Sequence, residues 1–569
     1  MVTRVLFVCH DNICRSPMAE FVLKDMVRKR GMEDRFEIAS AATSREEIGN
    51  PVYPPARRKL AEHGIACSGH HARQMTKEDY DRYDMIICMD DNNKRNIMRM
   101  TGGDPDNKIS LLLDFTERTG QQVADPWYTG NFDATWRDVT EGCEGLLGGV
   151  WMQIIHADIV YSEDRKQLAV HRDSYIAVEG GRVKDIWSGI PEEYSSVPVT
   201  DHGSDVLIPA FSDLHVHAPQ YPNRGFGTDL LLEDWLEQIT FPMEAGYADP
   251  EFAKLVYDAF VDDLIASGTM HACVYGTVHT EATSYLIERM DKKGIKGFAG
   301  KIGMDRNAPE DLLEEPEKAL RETEIFLEKY SSNRNTRPIL TPRFAPTCTG
   351  ELISGLGRLG KKYNTGMQTH LVESLWEAEQ ARLLFPECSC DTGIYERAGL
   401  MDNGPVIGGH FIFPSEDDIR IMQKYDCYAA HCPDATVSVI AGIMPAGVLL
   451  DRGIRIGLGT DLSAGHHAGV FTQAGRSVQL SKLKNFYEPD GNRTISFPEA
   501  FWMATKQSGT LFGGTGSLEP GAVFDALVIR DMSDAAVKLS PEQKVERFCY
   551  AGTKEDIRAR YMNGEEIPG

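Results

Sequence analysis

From residue 215 onward, several side chains that can bind a metal ion or carry a proton follow apolar, strand-like runs. They are His215 and His217 in Leu-His-Val-His, His370 and Glu373 in Thr-His-Leu-Val-Glu, His410 in Gly-Gly-His and Asp461 in Gly-Thr-Asp. Side chains alternate across a strand, so His215 and His217 share a face and can bind one metal ion together. Histidine and aspartate from later strand ends would complete a site that leaves one position open for water. The pattern predicts metal-activated water attacking a carbon of a ring or an amide.

A second reactive group lies near the N-terminus, in the phrase Cys-His-Asp-Asn-Ile-Cys-Arg-Ser-Pro at 9–17. An apolar run precedes it, and Pro17 marks a helix start. Backbone N–H groups of a loop between a strand and a helix N-terminus converge on an anion. The same field favours the thiolate form of Cys9, which is a nucleophile. Arg15 can bind two phosphate oxygens at once, so the loop predicts chemistry on a phosphate ester.

The N-terminal segment resembles the low-molecular-weight protein tyrosine phosphatases over residues 3–148. Besides the loop, the resemblance is carried by Ser-Ala-Ala-Thr-Ser at 40–44, Ala-Arg-Gln-Met-Thr at 72–76, Ile-Cys-Met-Asp at 87–90 and Asp-Pro-Trp-Tyr at 125–128. It implies that Cys9 is the nucleophile, that Arg15 binds phosphate and that Asp125 is the general acid to the leaving phenol.

The same resemblance implies supporting roles for other residues of the segment. Ser16 would assist the departing thiolate, Asn12 would brace the loop, and Trp127 and Tyr128 would wall an aromatic substrate. Cys14 is a candidate for a reversible disulfide with Cys9 that protects it from over-oxidation.

The pair His10-Asp11 departs from the family, in which these positions are usually small or apolar. An acidic side chain here would weaken phosphate binding, so one alternative is a domain that keeps the fold without catalysis. A separate alternative is a module that recognises phosphate without turning it over. Arsenate reductase shares the scaffold, but that chemistry usually needs a resolving cysteine pair after the strand near Cys88. Here Met-Asp-Asp-Asn-Asn follows Cys88, and the next cysteine is Cys143.

Length, charge and cysteine content limit the function classes. A chain of 569 residues is too long for one core, so two or more domains are expected. The net charge of −25 argues against a nucleic-acid partner, because phosphate binding needs clustered Lys and Arg. No apolar run approaches the ~20 residues of a membrane-spanning helix. The N-terminal apolar stretch is too short for a signal peptide, and the 12 cysteines are scattered. A cytoplasmic location is expected.

Strand-like and helical segments alternate over most of the remaining chain, which predicts a parallel (β/α)8 barrel. The predicted barrel strands are 206–217, 268–276, 296–304, 338–344, 366–371, 405–410, 427–431 and 455–461. Helical patterns intervene, for example at 251–267 and 315–330. The site residues fall at the carboxyl ends of these strands, where barrel enzymes place their chemistry. The glycines at 145–149 predict a short flexible linker before this part.

The part from 151 to 569 resembles the amidohydrolase superfamily and, within it, the guanine deaminases. The phrases that carry the resemblance are Asp-Leu-His-Val-His-Ala-Pro-Gln-Tyr at 213–221, Thr-Pro-Arg-Phe at 341–344, Thr-His-Leu-Val-Glu at 369–373 and Gly-Leu-Gly-Thr-Asp at 457–461. The resemblance implies a barrel at 209–517 and a small β-sandwich from 151–208 and 518–569. The expected fold is therefore α/β, with a doubly wound parallel-sheet phosphatase domain at 1–148 fused to this barrel.

For the larger part, the resemblance implies one divalent metal ion per chain. Its implied ligands are His215, His217, His370 and Asp461. Zinc is the default for three imidazoles and a carboxylate. Strand four offers Arg343, which cannot bridge a second ion.

Three side chains that act on water or protons, together with a substrate pocket, complete the predicted deaminase site. Glu373 would move a proton from water to the purine ring nitrogen and then to ammonia, while His410 and Asp461 would orient the attacking water. Gln220 and Arg343 resemble residues that hydrogen-bond the polar edge of the purine, with Phe344 lining the ring.

The sequence thus predicts a fused bifunctional hydrolase. One activity deaminates guanine to xanthine and ammonia. The other hydrolyses phosphotyrosine or a similar phosphomonoester, with a phosphotyrosine protein or an aryl phosphate as the substrate. The alternative is a deaminase of another purine, a pterin or a triazine with an N-terminal phosphate-binding regulatory module. The resemblance also implies a homodimer through the deaminase part.

Overall fold

The computed structural model describes residues 2–29, 33–116, 118–150, 152–195, 197–534 and 536–568. The chain divides into two compact units, Met1–Gln153 and Ile154–Gly569. Across the described residues, no helix combines the length and the apolar character needed to cross a membrane.

The first unit is built on a parallel sheet. Its described strands are β1 (Thr3–Cys9), β2 (Phe36–Ala42), β3 (Met85–Cys88) and β4 (Ile109–Leu111), in the order β2-β1-β3-β4. Its described helices are α1 (Arg15–Lys29), α2 (Pro54–Glu62), α3 (Lys77–Arg82), α4 (Asp91–Thr101), α5 (Pro126–Thr129) and α6 (Phe132–Val150). Val5 and Phe7 of β1 pack into one apolar cluster, and Leu6 and Val8 into another. The sheet is therefore covered on both faces, as expected for a doubly wound domain.

The flexible linker predicted at the glycines of 145–149 is wrong, because α6 runs on to Val150. Gly145 serves close packing instead. A β-carbon at this position would lie 2.1 Å from the backbone oxygen of Phe115, and one at Gly142 would lie 2.4 Å from Leu112 Cγ. These glycines let the helix approach its neighbours. The first compact unit extends to Gln153.

The segments that flank the barrel pair into one sheet within the described part of the chain. Its strands are β5 (Met152–Ser162), β6 (Leu168–Glu179), β7 (Arg182–Trp187) and β8 (Val199–Pro209), together with three strands from the end of the chain, Ala526–Ile529, Ile557–Met562 and Glu565–Glu566. Segments more than 300 residues apart in sequence are thus brought together. The barrel strands lie between them in the chain.

The barrel strands are parallel and follow one another in chain order, with helices between them. They are β9 (Phe211–His217), β10 (Thr269–Tyr275), β11 (Lys296–Gly300), β12 (Ile302–Gly303), β13 (Thr336–Pro338), β14 (Thr341–Pro342), β15 (Met367–Leu371), β16 (Val406–His410), β17 (Tyr428–His431) and β18 (Arg455–Leu458). Asp461 N–H donates to His215 O at 2.8 Å, which joins the segment after the last strand to the first. The predicted α/β fold is confirmed.

Helices of this unit lie between and after those strands. They are α7 (Leu232–Trp235), α8 (Phe241–Ala245), α9 (Pro250–Ala266), α10 (Thr280–Lys293), α11 (Pro316–Tyr330), α12 (Gly350–Tyr363), α13 (Leu375–Leu384), α14 (Asp391–Arg397), α15 (Glu416–Lys424), α16 (Pro433–Ser438), α17 (Ala446–Asp451), α18 (Val470–Tyr487), α19 (Phe497–Trp502) and α20 (Pro541–Ala551). The strands from the end of the chain are β19 (Ala526–Ile529), β20 (Ile557–Met562) and β21 (Glu565–Glu566).

The predicted first barrel strand, 206–217, is two strands that meet at Ala210. Pro209 pairs with Ala526 in the flanking sheet, whereas Phe211 pairs with Thr269 in the barrel. The chain passes from one sheet to the other at this point. The sequence pattern of this segment does not reveal such a change of hydrogen-bonding partner.

Candidate active sites

The barrel brings the four predicted metal-binding side chains together, all of them buried. His217 Nε2 lies 3.1 Å from His370 Nε2. Asp461 Oδ1 lies 3.4 Å from His215 Nε2 and 3.7 Å from His217 Nε2. Three imidazole nitrogens and a carboxylate oxygen therefore converge on one small volume, which is the donor set of a divalent metal site.

The electrostatics of this cluster also fit a metal ion. Burial lowers the pKa of His215 to about 3 and the pKa values of His217 and His370 well below their usual range, so the imidazoles are neutral. Neither ring nitrogen of His215 has a hydrogen-bond partner among the described residues. His370 Nδ1 lies 2.7 Å from Arg343 O, where it donates and leaves the Nε2 lone pair facing His217. Buried unpaired nitrogens are costly, and a metal ion would satisfy them.

Glycines make room for the His215 ring. A β-carbon at Gly409 of β16 would lie 2.7 Å from His215 Cε1, and one at Gly459 would lie 2.9 Å from His215 Cβ. The phrases Gly-Gly-His and Gly-Leu-Gly-Thr-Asp therefore carry a packing requirement besides their polar residues. Larger residues at either position would displace a predicted metal ligand.

Glu373 and His410 lie beside the cluster. His410 Nε2 is 3.5 Å from Glu373 Oε1 and 3.7 Å from Asp461 Oδ2. Ligand atoms of His215, His410 and Asp461 lie within 4.8 Å of one another, so His410 reaches the metal cluster as well as the predicted proton shuttle. Burial, and then the charge of Asp461, raises the pKa of Glu373 well above its usual range. A carboxyl group whose pKa is raised holds a proton more readily, which suits it to proton transfer.

The backbone at these positions is strained. Val372, His410, Phe411 and Asp461 have φ values of +43°, +69°, +50° and +45°. Residues other than glycine and asparagine seldom adopt this region, and such outliers gather at functional sites. Backbone hydrogen bonds hold these conformations: Val372 O accepts from Ile412 N–H and Phe413 N–H, and Asp461 N–H donates to His215 O.

A polar group adjoins the cluster on the same pocket wall. Arg343 Nη1 contacts Glu244 Oε2 at 2.6 Å, and Gln220 Nε2 donates to Glu244 Oε1 at 2.9 Å. All three side chains are buried. The Phe344 ring centroid lies 6.1 Å from that of His370. The predicted substrate residues Gln220, Arg343 and Phe344 therefore lie in one pocket with His217, Glu373 and Asp461.

Sequence reasoning missed two buried acids of this site. Glu244 pairs with both Gln220 and Arg343. In the sequence, however, it lies on α8 and does not directly follow a barrel strand. Asp213 Oδ1 accepts the N–H of His215 at 3.1 Å and of Thr460 at 3.0 Å, which ties β9 to the segment of Asp461. The available signal for Asp213 was its position two residues before His215, on the same face of the strand.

The N-terminal loop surrounds the Cys9 sulfur with donors. Ser16 Oγ donates to Cys9 Sγ at 3.0 Å, and Asn12 N–H lies 3.3 Å from the same sulfur. Asn12 has φ +57°, and its amide donates to Ser16 Oγ and to Ser40 Oγ. Asn12 and Ser16 therefore lie beside the Cys9 sulfur, and His70 Nε2 lies 2.8 Å from Asn12 O.

Arg15 lies between two carboxylates of the same unit. Its guanidinium contacts Asp90 Oδ2 at 2.8 Å and Asp125 Oδ2 at 2.7 Å, so the predicted general acid is beside the phosphate-binding group. Trp127 and Tyr128 follow Asp125 and are 62% and 86% exposed, where they can wall an incoming ring. Burial raises the pKa of Cys14 to about 12, so its thiol stays protonated near neutral pH.

His10 and Asp11, which replace the small or apolar residues usual in the phosphatase family, contact each other and Ser44. Asp11 Oδ1 accepts a hydrogen bond from Ser44 Oγ at 2.7 Å and lies 3.6 Å from His10 Nε2. The Ser44 hydroxyl group thus holds the Asp11 carboxylate, and the His10 side chain is exposed.

Comparisons with known proteins agree with both halves of this description. Residues 4–158 match the family model of low molecular weight phosphotyrosine protein phosphatase, and residues 206–553 match that of the amidohydrolase family. The guanine deaminase of Dictyostelium discoideum is 34% identical over 394 residues, which is 67% of this chain and 86% of that protein. The guanine deaminase of Rattus norvegicus is 31% identical, and the match covers 64% of this chain and 83% of that protein.

A solved structure gives the same result. The guanine deaminase of C. acetobutylicum, determined with bound guanine in its active site, superimposes with a TM-score of 0.71 at 35% identity. The match covers 74% of this chain and all of that one. The chain therefore belongs to the amidohydrolase family, in its guanine deaminase branch.

Proposed function

We propose that the larger unit hydrolyses guanine to xanthine and ammonia. The observation that carries the proposal is the convergence of His215, His217, His370 and Asp461 beside Glu373 in a pocket that also holds Arg343 and Gln220. Relatives named guanine deaminases, one of them solved with guanine bound, support this choice of substrate.

The metal ion would be held by His215, His217, His370 and Asp461, with zinc as our proposal for its identity. When bound, such an ion lowers the pKa of a coordinated water to about 7. Glu373 takes one proton from the attacking water and delivers it to the purine ring nitrogen. It then carries the remaining proton of the added hydroxyl group to the amino group, which leaves as ammonia when its C–N bond breaks. His410, beside both Glu373 and Asp461, stabilises the charge that develops.

The first test is turnover of guanine, followed by ultraviolet absorbance, before and after the metal is removed. Chelation is expected to abolish the loss of guanine and the appearance of xanthine, and zinc is expected to restore both. Restoration by iron but not by zinc would correct the metal. If the metal-replete protein leaves guanine unchanged, other purines, pterins and triazines become the substrates to test.

Arg343 and Gln220 are proposed to bind the polar edge of guanine. We expect Arg343→Lys to lower kcat/KM for guanine by about a hundredfold or more, because a planar guanidinium in a built site is poorly replaced by an ammonium group. Lysine keeps a positive charge near the buried Glu244, which limits the loss of stability. Steady-state kinetics with guanine and adenine measure the effect. Unchanged selectivity would mean that this pocket is not where the purine edge is read.

We further propose that the first unit hydrolyses phosphotyrosine or related aryl phosphates. The Cys9 thiolate attacks phosphorus, Asp125 protonates the departing phenol oxygen, and water then releases phosphate from the phosphocysteine. Arg15 and the backbone N–H groups of the loop hold the phosphate oxygens. The match of residues 4–158 to the phosphatase family, together with the retained Cys9, Arg15 and Asp125, supports activity rather than binding alone.

A further inference from the structure

Two buried carboxyl groups hold the backbone that carries Glu373. Glu377 Oε2 accepts the N–H of Glu373 at 2.6 Å, and Asp391 Oδ2 accepts the N–H of Val372 at 3.1 Å. Glu377 is 1% exposed and Asp391 is 3% exposed. Each group therefore bonds one of two consecutive peptide N–H groups directly next to the proposed proton shuttle.

The backbone that they hold is strained. Val372 has φ +43°, which is unfavourable for a β-branched residue. On the other side, Val372 O accepts the N–H groups of Ile412 and Phe413, each at 3.1 Å. A strained residue keeps its conformation only when its surroundings fix it, so these four hydrogen bonds determine where the Glu373 side chain points.

The local electrostatics favour the neutral form of both carboxyl groups. Burial, and then the charge of Glu373, raises the pKa of Glu377 to about 8. Burial and the charge of Glu377 also raise the pKa of Asp391. A neutral carboxyl group can accept the backbone N–H without placing a negative charge beside Glu373. An amide side chain has the same shape and the same acceptor oxygen.

We propose that Glu377 and Asp391 are positioning residues of the deaminase reaction. They fix the strained Val372–Glu373 backbone so that the Glu373 carboxyl group stays beside His410 and Asp461. The proposal rests on the proposed deaminase function for its catalytic consequence, but not for the hydrogen bonds themselves.

A purely structural role for Glu377 is the alternative, because this residue lies in the first turn of α13. Ser374 Oγ accepts the N–H of Glu377 at 3.0 Å and caps the same helix. Ser374→Ala weakens the helix end without removing an acceptor from Glu373 N–H, and therefore serves as the matched control. The exposed Glu379, on the same helix, is a second control.

The experiment uses the full-length, metal-loaded protein with Glu377→Met, Glu377→Gln, Ser374→Ala and Glu379→Gln. Methionine fills the space of Glu377 without an acceptor, whereas glutamine restores one. Glu377→Ala is the second acceptor-free variant if the methionine variant folds poorly. The measurements are kcat, KM for guanine, bound metal and amide hydrogen exchange of the peptide that spans residues 371–374.

We expect Glu377→Met to lower kcat about thirty- to a hundredfold with KM within about twofold, the scale of a misplaced catalytic group. Bound metal is unchanged, and exchange at Glu373 is faster. Glu377→Gln recovers most of kcat and slow exchange, and both controls resemble wild type. We expect the same contrast for Asp391: Asp391→Leu lowers kcat and speeds amide exchange at Val372, and Asp391→Asn recovers most of both.

An equal loss of kcat in Glu377→Met and Ser374→Ala would overturn the proposal, because the weakened end of α13 would then explain the loss. Loss in Glu377→Gln as large as in Glu377→Met would also overturn it, since the acceptor would not be the relevant property. If wild type does not hydrolyse guanine, the proposal of guanine as the substrate is wrong. Amide hydrogen exchange then tests the positioning role of Glu377 and Asp391 by itself. Faster exchange only in the acceptor-free variants supports the positioning role, and unchanged exchange refutes it.

Discussion

Glu373→Gln is expected to lower kcat for guanine hydrolysis by about a hundred- to ten-thousandfold, the range that general acid–base catalysis contributes. Glutamine keeps the size of the side chain and an acceptor oxygen near His410, but it cannot take or deliver a proton. Glu373 is not among the proposed metal ligands, so the bound metal is expected to stay at the wild-type amount. The measurement is guanine turnover by ultraviolet absorbance, together with metal analysis.

The physical reason is the position of this carboxyl group. Glu373 Oε1 lies 3.5 Å from His410 Nε2, and its pKa is raised by burial and by the charge of Asp461. A raised pKa makes this carboxyl group a better proton acceptor than an ordinary glutamate, as a proton carrier must be. The glutamine side chain of the variant cannot carry a proton, so the proton must move through solvent instead.

Two controls isolate this effect. Glu379→Gln changes an exposed carboxylate on α13 and is expected to leave guanine turnover unchanged. Aryl phosphate hydrolysis by Glu373→Gln is expected to equal wild type, because that reaction belongs to the other unit. A variant that keeps more than about a tenth of wild-type kcat would exclude Glu373 as the obligatory proton carrier.

Cys9→Ser is expected to lower hydrolysis of p-nitrophenyl phosphate by about a thousandfold or more, as expected when a hydrolase loses its nucleophile. A serine hydroxyl stays protonated where the thiolate would attack. The variant keeps an acceptor for Ser16 Oγ and Asn12 N–H, so the loop is expected to keep its shape. Rapid quench with labelled aryl phosphate is expected to show a phosphocysteine in wild type and none in the variant.

Cys14→Ser is the matched control on the same loop. Burial raises the pKa of Cys14 to about 12, so its thiol is a poor nucleophile near neutral pH, and this variant is expected to keep most of the activity. Guanine turnover by Cys9→Ser is expected to be normal. Absence of a covalent adduct in wild type would favour the alternative in which this unit binds phosphate without hydrolysing it.

The fold class and most strand positions could be predicted because they depend on local patterns. Predicted strands at 268–276, 366–371 and 405–410 agree with β10, β15 and β16 to within one residue at each end. Apolar runs that end in a polar residue are typical of parallel strands with chemistry at their carboxyl ends. The same rule placed His215, His370 and Asp461 at one end of the barrel, where the structure brings them together.

Other features depend on contacts that no local pattern records. The glycines of 142–149 look like a break in the sequence, yet Gly145 is required because α6 approaches Phe115 too closely for a side chain. The apolar run at 206–217 is divided because its hydrogen-bonding partner changes from Ala526 to Thr269.

By itself, the sequence determined which side chains can do chemistry and the order in which strands and helices present them. Periodicity and the direction of side chains on a strand are local properties, and they follow from a few neighbouring residues. The tertiary structure alone decided how these groups are held. Glu244 meets Gln220 and Arg343, and Glu377 and Asp391 meet the strained backbone before α13, only because distant segments are folded onto one pocket. Long-range packing sets burial, and burial lowers the pKa of His215 and raises the pKa values of Glu373 and Glu377.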